Sequence, residues 1–196
     1  MTEIDPQSPL SRVAWPVRTE RLTLRPATAA DAEAVWRFRQ LPAVNQWLTR
    51  APATLENFRT KYEDPDFLDK ALVVEMDGDV IGDLMLDVQD AWAQAEVVDQ
   101  ARGVQAELGW AFHPDHGGRG YATEAVRALL RICFEDLRLH RVTASCFADN
   151  EASRRLMERV GMRRETHTLR ESLHRSGEWL DGMGYAILAD EWAPVA

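Results

Sequence analysis

Cysteine is scarce in this chain of 196 residues: only Cys133 and Cys146 are present. They form no C-x-x-C pair, which sets aside a disulfide framework and a dithiol redox motif. Their neighbours are apolar, Ile132 and Phe134 around the first and Phe147 beside the second. Both read as buried, reduced thiols, with no adjacent base to make either a nucleophile. Positive charge is in deficit. With 23 basic against 32 acidic residues the net charge is −9. That argues against a general nucleic-acid binder or a ligand of anionic membrane surfaces, since both need a basic face. A cationic partner is allowed. No window approaches the roughly 18 apolar residues of a membrane span. Met1 to Pro9 holds Glu3, Asp5 and two prolines but no basic or apolar signal-peptide segment, so a cytoplasmic location is expected. No His, Cys and carboxylate cluster has metal-ligand spacing, and neither repeats nor low-complexity runs are visible. What remains is an ordinary globular composition, 45% hydrophobic and 28% charged, long enough to bury about 70% of its unfolded surface as one domain.

Along the chain, residues 1–18 carry prolines at 6, 9 and 16 and read as an extended arm. Arg21 to Arg25 alternates as a strand ended by Pro26. Thr28 is a candidate cap for a helix bearing Ala32, Val35, Trp36 and Arg39, and a second helix is expected from Thr54 to Glu63. Ala71–Met76 and Val80–Val88 flank Asp77-Gly78, a strong hairpin signal. Residues 89–105 are polar and break the pattern, so they read as an insertion or long loop. Glu107–Phe112 is a strand stopped by His113-Pro114. The apolar spacing of Ala122, Val126, Leu129, Leu130, Cys133 and Leu137 predicts a helix from about Tyr121 to Leu137. Arg141–Phe147 predicts a strand and Asn150–Val160 a helix stopped by Gly161. Two last strands are expected at 162–170 and 183–188. The order β-α-α-β-β-β-α-β-α-β-β, with a right-handed crossover between residues 107 and 147, predicts an α/β fold. Its mixed sheet carries helices on both faces.

The strongest chemical signal is His116-Gly117-Gly118-Arg119-Gly120-Tyr121-Ala122, between a strand and a long helix. Glycines let the backbone turn tightly, and a helix start offers unpaired N–H groups and a partial positive charge, a combination suited to phosphate oxygens. A plain turn with a helix cap is the competing reading. A Walker A loop is excluded because no Gly-Lys-Ser/Thr follows, and Thr123 stands where a dinucleotide fingerprint needs its third glycine.

The strand Glu107–Phe112, the loop Gly117-x-x-Gly120-x-Ala122 and Thr123-Glu124-Ala125 resemble the acetyl-CoA signature of the GNAT N-acetyltransferase superfamily. That signature usually reads Gln/Arg-x-x-Gly-x-Gly/Ala, so Gly117 departs at its first position. The similarity runs from about Thr19-Glu20-Arg21-Leu22 to Glu191-Trp192 and is of the RimJ/RimL type, which acetylates ribosomal-protein N-termini. It is supported by Leu139-His140-Arg141-Val142, Asn150-x-x-Ser153, Gly161-Met162 and Gly177-x-Trp179-x-Asp181.

The resemblance implies a fold of about seven mostly antiparallel strands around a splayed central parallel pair, with residues 19–196 as one domain behind the 1–18 arm. It implies acetyl-CoA as co-substrate, no metal, and a primary-amine acceptor. Backbone groups of Trp110, Ala111 and Phe112 would pair with the pantetheine arm. The amides of Gly117, Gly118, Arg119, Gly120, Tyr121, Ala122 and Thr123 would receive the pyrophosphate, with Arg119 an available cation. Trp110 and Phe112 are equally readable as core aromatics. Asn150 is either a helix N-cap alone or also a pantetheine ligand. Ser153 is either an exposed helical serine or the donor to the leaving CoA thiolate, since Met157 stands where many relatives carry a tyrosine acid. Glu107 is the candidate base, or a strand-end glutamate; Asp87, Glu75, His113 and His167 are weaker alternatives. His113 and His116 read as caps of the proline turn. Arg170, Glu171, Trp179 and Asp181 either line the acceptor mouth or brace the strands. A non-catalytic acyl-CoA-binding module and a small-molecule acetyltransferase are the rivals, and the acceptor and a homodimer stay open.

Overall fold

The computed structural model describes residues 8–51 and 54–193. Its strands are β1 (Val17–Arg18), β2 (Thr23–Pro26), β3 (Ala71–Met76), β4 (Asp79–Gln89), β5 (Gln105–Phe112), β6 (Arg141–Phe147), β7 (Arg163–Leu173) and β8 (Trp179–Leu188). They form an eight-stranded mixed sheet in the order β1-β2-β3-β4-β5-β6-β8-β7, one strand more than the seven expected. The extra strand is β1. Val17 is buried and sits opposite Leu24, so the stretch read as an extended arm ends in a paired strand. Ahead of it, Pro9–Arg12 makes one 3-10 turn capped by Ser8. The chain divides into two compact units, Met1–Leu86 with Trp110–Leu129, and Asp87–Gly109 with Leu130–Ala196. Among the described residues no helix is long and apolar enough to cross a membrane.

The first unit holds α1 (Ala32–Arg39), α2 (Pro42–Asn45), α3 (Leu55–Lys61) and α4 (Pro65–Leu68). The Thr28 cap is real. Its amide and hydroxyl both donate to Asp31 Oδ2, at 2.8 and 2.9 Å, while Arg25 grips both Asp31 oxygens at 2.7 and 2.8 Å. Burial would raise the Asp31 carboxyl, but Arg25 and Thr28 together hold it below its ordinary range. Thr54 likewise caps α3 by accepting from Asn57 N. Asp77 and Gly78 both take positive φ, 53° and 90°, the geometry of a primed hairpin turn. Val35, Phe38, Phe58, Tyr62 and Val73 form the core with Ala111. Set into this apolar layer is an ion pair: Arg39 holds buried Asp83 through Nε (2.8 Å) and Nη2 (2.5 Å).

In the second unit β6 pairs with β8 over its whole length, and β8 with β7. Three differences from the sequence reading have local causes. The helix α5 is α-helical only over Tyr121–Arg131. It widens to a π turn over Ile132–Asp136, with Leu137 N reaching Ile132 O at 2.9 Å. The widened turn lets Ile132, Cys133 and Phe134, three consecutive residues, all be buried. Residues 89–105 contain a 3-10 helix (Ala95–Ala101). Bonds from Ala91 N to Ala101 O and from Gly103 N to Asp90 Oδ1, each 2.8 Å, tie the segment to itself. The last strands are longer than expected because β7 buries no residue. A strand with two wet faces carries no period-2 signal.

Removing Asp83 would leave the Arg39 guanidinium unpaired among apolar neighbours. Asp83→Ala is expected to lose about 3 kcal/mol of stability, seen as a lower urea midpoint with unchanged slope.

Candidate active site

In the first unit the glycine loop grows out of the end of β5. Along that strand Ala106 and Leu108 are buried in phase, but the next buried residue is Ala111. The alternation therefore slips by one residue at Gly109–Trp110, and Trp110 and Phe112 are half-buried. Phe112 packs against Gly82 of β4, where an added Cβ would come within 2.5 Å of its ring. His113 N then bonds Ile81 O (2.8 Å). A 3-10 turn over Pro114–His116 follows, with His113 Nδ1 accepting from Asp115 N at 3.2 Å. His113 is thus the cap expected. His116 is not: its ring stands 5.8 Å from His113 and 6.2 Å from Tyr121, and its buried Nδ1 has no hydrogen-bond partner.

Gly117 has a steric reason for departing from the signature. A Cβ there would sit 2.9 Å from Pro114 O, the same oxygen that accepts Gly117 N at 2.8 Å. The Gly117 amide is therefore engaged in the turn, and the cradle begins at Gly118. Gly118 and Gly120 take φ of 74° and 83° on either side of exposed Arg119, a conformation that glycine adopts without steric cost. The first intrahelical bond of α5 runs from Glu124 N to Gly120 O at 3.0 Å. The amides of Tyr121 and Ala122 precede it in the first turn, where no intrahelical acceptor exists. Thr123 is buried behind them. The result is a concentration of backbone donors at the positive end of a helix.

A clamp that the sequence reading assigned no role holds this loop. Glu124 Oε1 accepts from Thr19 Oγ1 (2.6 Å) and Arg21 N (2.9 Å), and Arg21 Nε donates to Glu124 Oε2 at 2.7 Å. Arg21 Nη1 also donates to Arg119 O at 3.0 Å, and its guanidinium lies 4.6 Å over the Tyr121 ring. Burial would raise the Glu124 carboxyl, but the Thr19 and Arg21 hydrogen bonds and the Arg21 charge keep it below its usual range. These partners are 103 residues apart, so no periodicity or local motif pairs them.

The second unit holds the other predicted residues. β5 pairs in parallel with β6 over three rungs, Gln105↔Arg141, Ala106↔Val142 and Glu107↔Thr143, although both strands continue. Glu107 is the third residue of β5, half-buried at the last rung, rather than at the strand's start. Among the described residues it has no ion-pair partner. The alternative bases are engaged: Glu75 by Arg25 Nε (2.8 Å), Asp87 by Gln89 Nε2 (3.1 Å), His167 by Asp181 (2.8 Å) and His113 in its turn. Asn150 caps α6 (Glu151–Arg159) by accepting the Ser153 amide at 3.2 Å, which brings these two predicted residues together. Ser153 is half-buried, and Met157 is completely buried.

Cys133 is buried and Cys146 half-buried. Burial pushes both thiols up, Cys146 to about 11 against the pull of Arg154. Neither is a thiolate near neutrality. In the last hairpin Asp181 accepts the Arg170 amide (2.9 Å) as well as His167 Nε2, and Glu171 accepts the Thr168 hydroxyl. These residues brace a β7 irregularity where Arg170 has φ 49°. Trp179 is exposed.

A strand feeding a glycine cradle at a helix start, and a parallel pair whose ladder stops early, match what the family signature implied. The family model described as Acetyltransferase (GNAT) domain matches residues 21–163. The chain belongs to the GNAT acetyltransferase family. Over 86 residues it is 42% identical to the uncharacterized N-acetyltransferase YnaD of Bacillus subtilis (strain 168), a match covering 44% of this chain and about half of that relative's length (50%). It is 29% identical over 188 residues to the putative ribosomal N-acetyltransferase YdaF of the same organism, covering 88% of this chain and 94% of the other. A solved GNAT-family acetyltransferase from Bacillus anthracis superposes with a TM-score of 0.74 at 29% identity, covering 89% of this chain and 99% of that one. This GNAT chain is therefore an acetyltransferase, of a family that draws acetyl groups from acetyl-CoA.

Loss of the clamp should loosen the loop without touching the acetyl-transfer chemistry. Arg21→Ala is expected to raise the KM for acetyl-CoA about tenfold, roughly 1.4 kcal/mol, while kcat changes little. Steady-state kinetics beside an unchanged circular dichroism spectrum check this.

Proposed function

We propose that this acetyltransferase moves the acetyl group of acetyl-CoA onto a primary amine by direct attack in a ternary complex. A protein N-terminal α-amine or a small cationic amine is the acceptor. The observation that carries the reading is the Gly118–Ala122 cradle following β5, with its paired left-handed glycines and Arg21 clamp. It fits a pyrophosphate, and Arg119 adds a cation with no ion pair of its own among the described residues. The family match over residues 21–163 runs through both compact units. This supports one catalytic domain over 19–196.

The assigned roles follow from chemistry. Backbone groups at Trp110 to Phe112 pair with the pantetheine arm, and one N–H polarises the thioester carbonyl. An acceptor arrives as an ammonium and must lose a proton before it attacks. Glu107, the candidate base without an ion pair, takes that proton directly or through water. The C–N bond forms, the C–S bond breaks, and CoA departs as a thiolate with an unperturbed pKa near ~8.5. A leaving group of that acidity needs only a hydrogen bond, which the Ser153 hydroxyl supplies. Asn150 holds α6 at its start and offers its remaining amide N–H groups to pantetheine. The total burial of Met157 leaves no room for a phenol there, so Met157→Tyr does not restore a tyrosine acid.

An acceptor screen with acetyl-CoA, peptide N-termini and polyamines, read by mass spectrometry and CoA-thiol release, tests the reaction. Acetyl-CoA binding without thiol release for any amine would favour a non-catalytic binder. Glu107→Gln is expected to lower turnover roughly 10²–10⁴-fold, with the loss shrinking as pH rises and free amine accumulates. Ser153→Ala is expected to lose about 10- to 100-fold. Both should leave acetyl-CoA affinity, measured by calorimetry, unchanged.

A further inference from the structure

Arg154 departs in several ways from what a helix residue ordinarily does. It is the fourth residue of α6, near the positive end of the helix dipole, where a cation is disfavoured. It is half-buried, and among the described residues it forms no ion pair. The carboxylate one turn further on, Glu158, accepts from the Tyr185 hydroxyl instead, at 3.0 Å. Its Nε is buried with no hydrogen-bond partner. A half-buried guanidinium with an unpaired N–H costs stability. Departures of this kind gather where a structure serves a reaction.

The bond that Arg154 does make reaches the turn that starts its own helix. Nη1 donates to Ala148 O at 3.0 Å, and Arg154 N donates to Asn150 O at 3.1 Å. One residue thus holds the turn Ala148-Asp149-Asn150 at both ends. On the sheet side, Ala148 N donates to Asp181 O of β8 (2.8 Å) and Asn150 N to Phe147 O of β6 (3.0 Å). The turn decides where Asn150 stands, and Asn150 Oδ1 accepts the Ser153 amide at 3.2 Å. Asn150, Ser153, Arg154 and Met157 follow the i, i+3, i+4, i+7 spacing of one helix face. Met157 on that face is completely buried. Arg154 therefore shares the inward side of α6 with the two residues assigned to acetyl-CoA.

We propose that Arg154 is a positioning residue for acetyl transfer. Its guanidinium fixes the Ala148–Asn150 turn, and with it the direction in which Asn150 and Ser153 face. It acts through those two residues, so the proposal rests on the roles given to them above. Without it the turn keeps its backbone bonds but loses the side-chain strut from Arg154 to Ala148. A small displacement of groups that meet the reacting atoms is enough to slow a reaction.

The test compares the full chain with Arg154→Met, which keeps the apolar stem and removes the donor. Arg154→Lys, which keeps the charge but not the planar fork, is expected to lie between the two. In the chain alone, hydrogen exchange at the Ser153 amide should become about tenfold faster in Arg154→Met, the scale of one hydrogen bond. The amides of the β6–β8 ladder should be unchanged, which separates a local loosening from a loss of fold. With acetyl-CoA and an amine, kcat should fall about tenfold. On a Ser153→Ala background the same substitution should cost little more, because Arg154 acts through Ser153. A silent Ser153→Ala would count against the donor role of Ser153 and leave the exchange rate to decide Arg154. Unchanged Ser153 exchange in both Arg154 variants overturns the proposal. So does a kcat loss that is as large beside a damaging Ser153→Ala as without it.

Discussion

A glutamate in the first turn of a helix would repel any anion drawn to that helix start, and the Arg21–Glu124 pair neutralises it. Alone, the Glu124 carboxylate would complement the helix dipole and repel a phosphate at the same place. Arg21 binds it at 2.6–2.7 Å, so the charge that stabilises the helix start is matched before any ligand arrives. The same guanidinium holds the Arg119 carbonyl and so fixes the backbone between Gly118 and Gly120. Partly exposed ion pairs contribute only about 0–1 kcal/mol to stability. The value of this one lies in where it holds the loop.

The loop also needs a fixed point to leave from. That point is the close approach of Phe112 to Gly82, which permits no Cβ, together with the His113 to Ile81 backbone bond. β4 is held there by Asp83, the residue after Gly82, through its pair with Arg39. One short stretch of β4 thus meets the buried ion pair on one residue and the base of the glycine loop on its neighbours.

In the second unit, hydrogen bonding decides which candidate side chains remain available for chemistry. Asp181, Glu171 and His167 are engaged in holding the irregular β7–β8 hairpin, and Glu75 is held by Arg25 in the first. Among the described residues Glu107 has no ion-pair partner. Asn150 has a clear capping duty through Oδ1, which leaves its amide nitrogen as the part able to act on a ligand.

The elements with a strong local signal were legible in the sequence. β3 appears where its apolar run puts it, β6 where alternation puts it and the Asp77-Gly78 turn where turn chemistry does, and Thr28 and Asn150 cap as expected. The glycine loop was legible for the same reason, since positive φ beside a helix start leaves a local mark in residue type. β1, β7, the π turn after Arg131 and the folded 89–105 segment were not. Each depends on partners distant in sequence or on wet faces without periodicity. The Arg21–Glu124 clamp and the Gly117–Pro114 contact that explains the altered signature belong to tertiary structure alone. Propensity and capping act over a few residues and are written in the order of the chain. Charge pairing and desolvation act across space, and only the fold decides which charges meet.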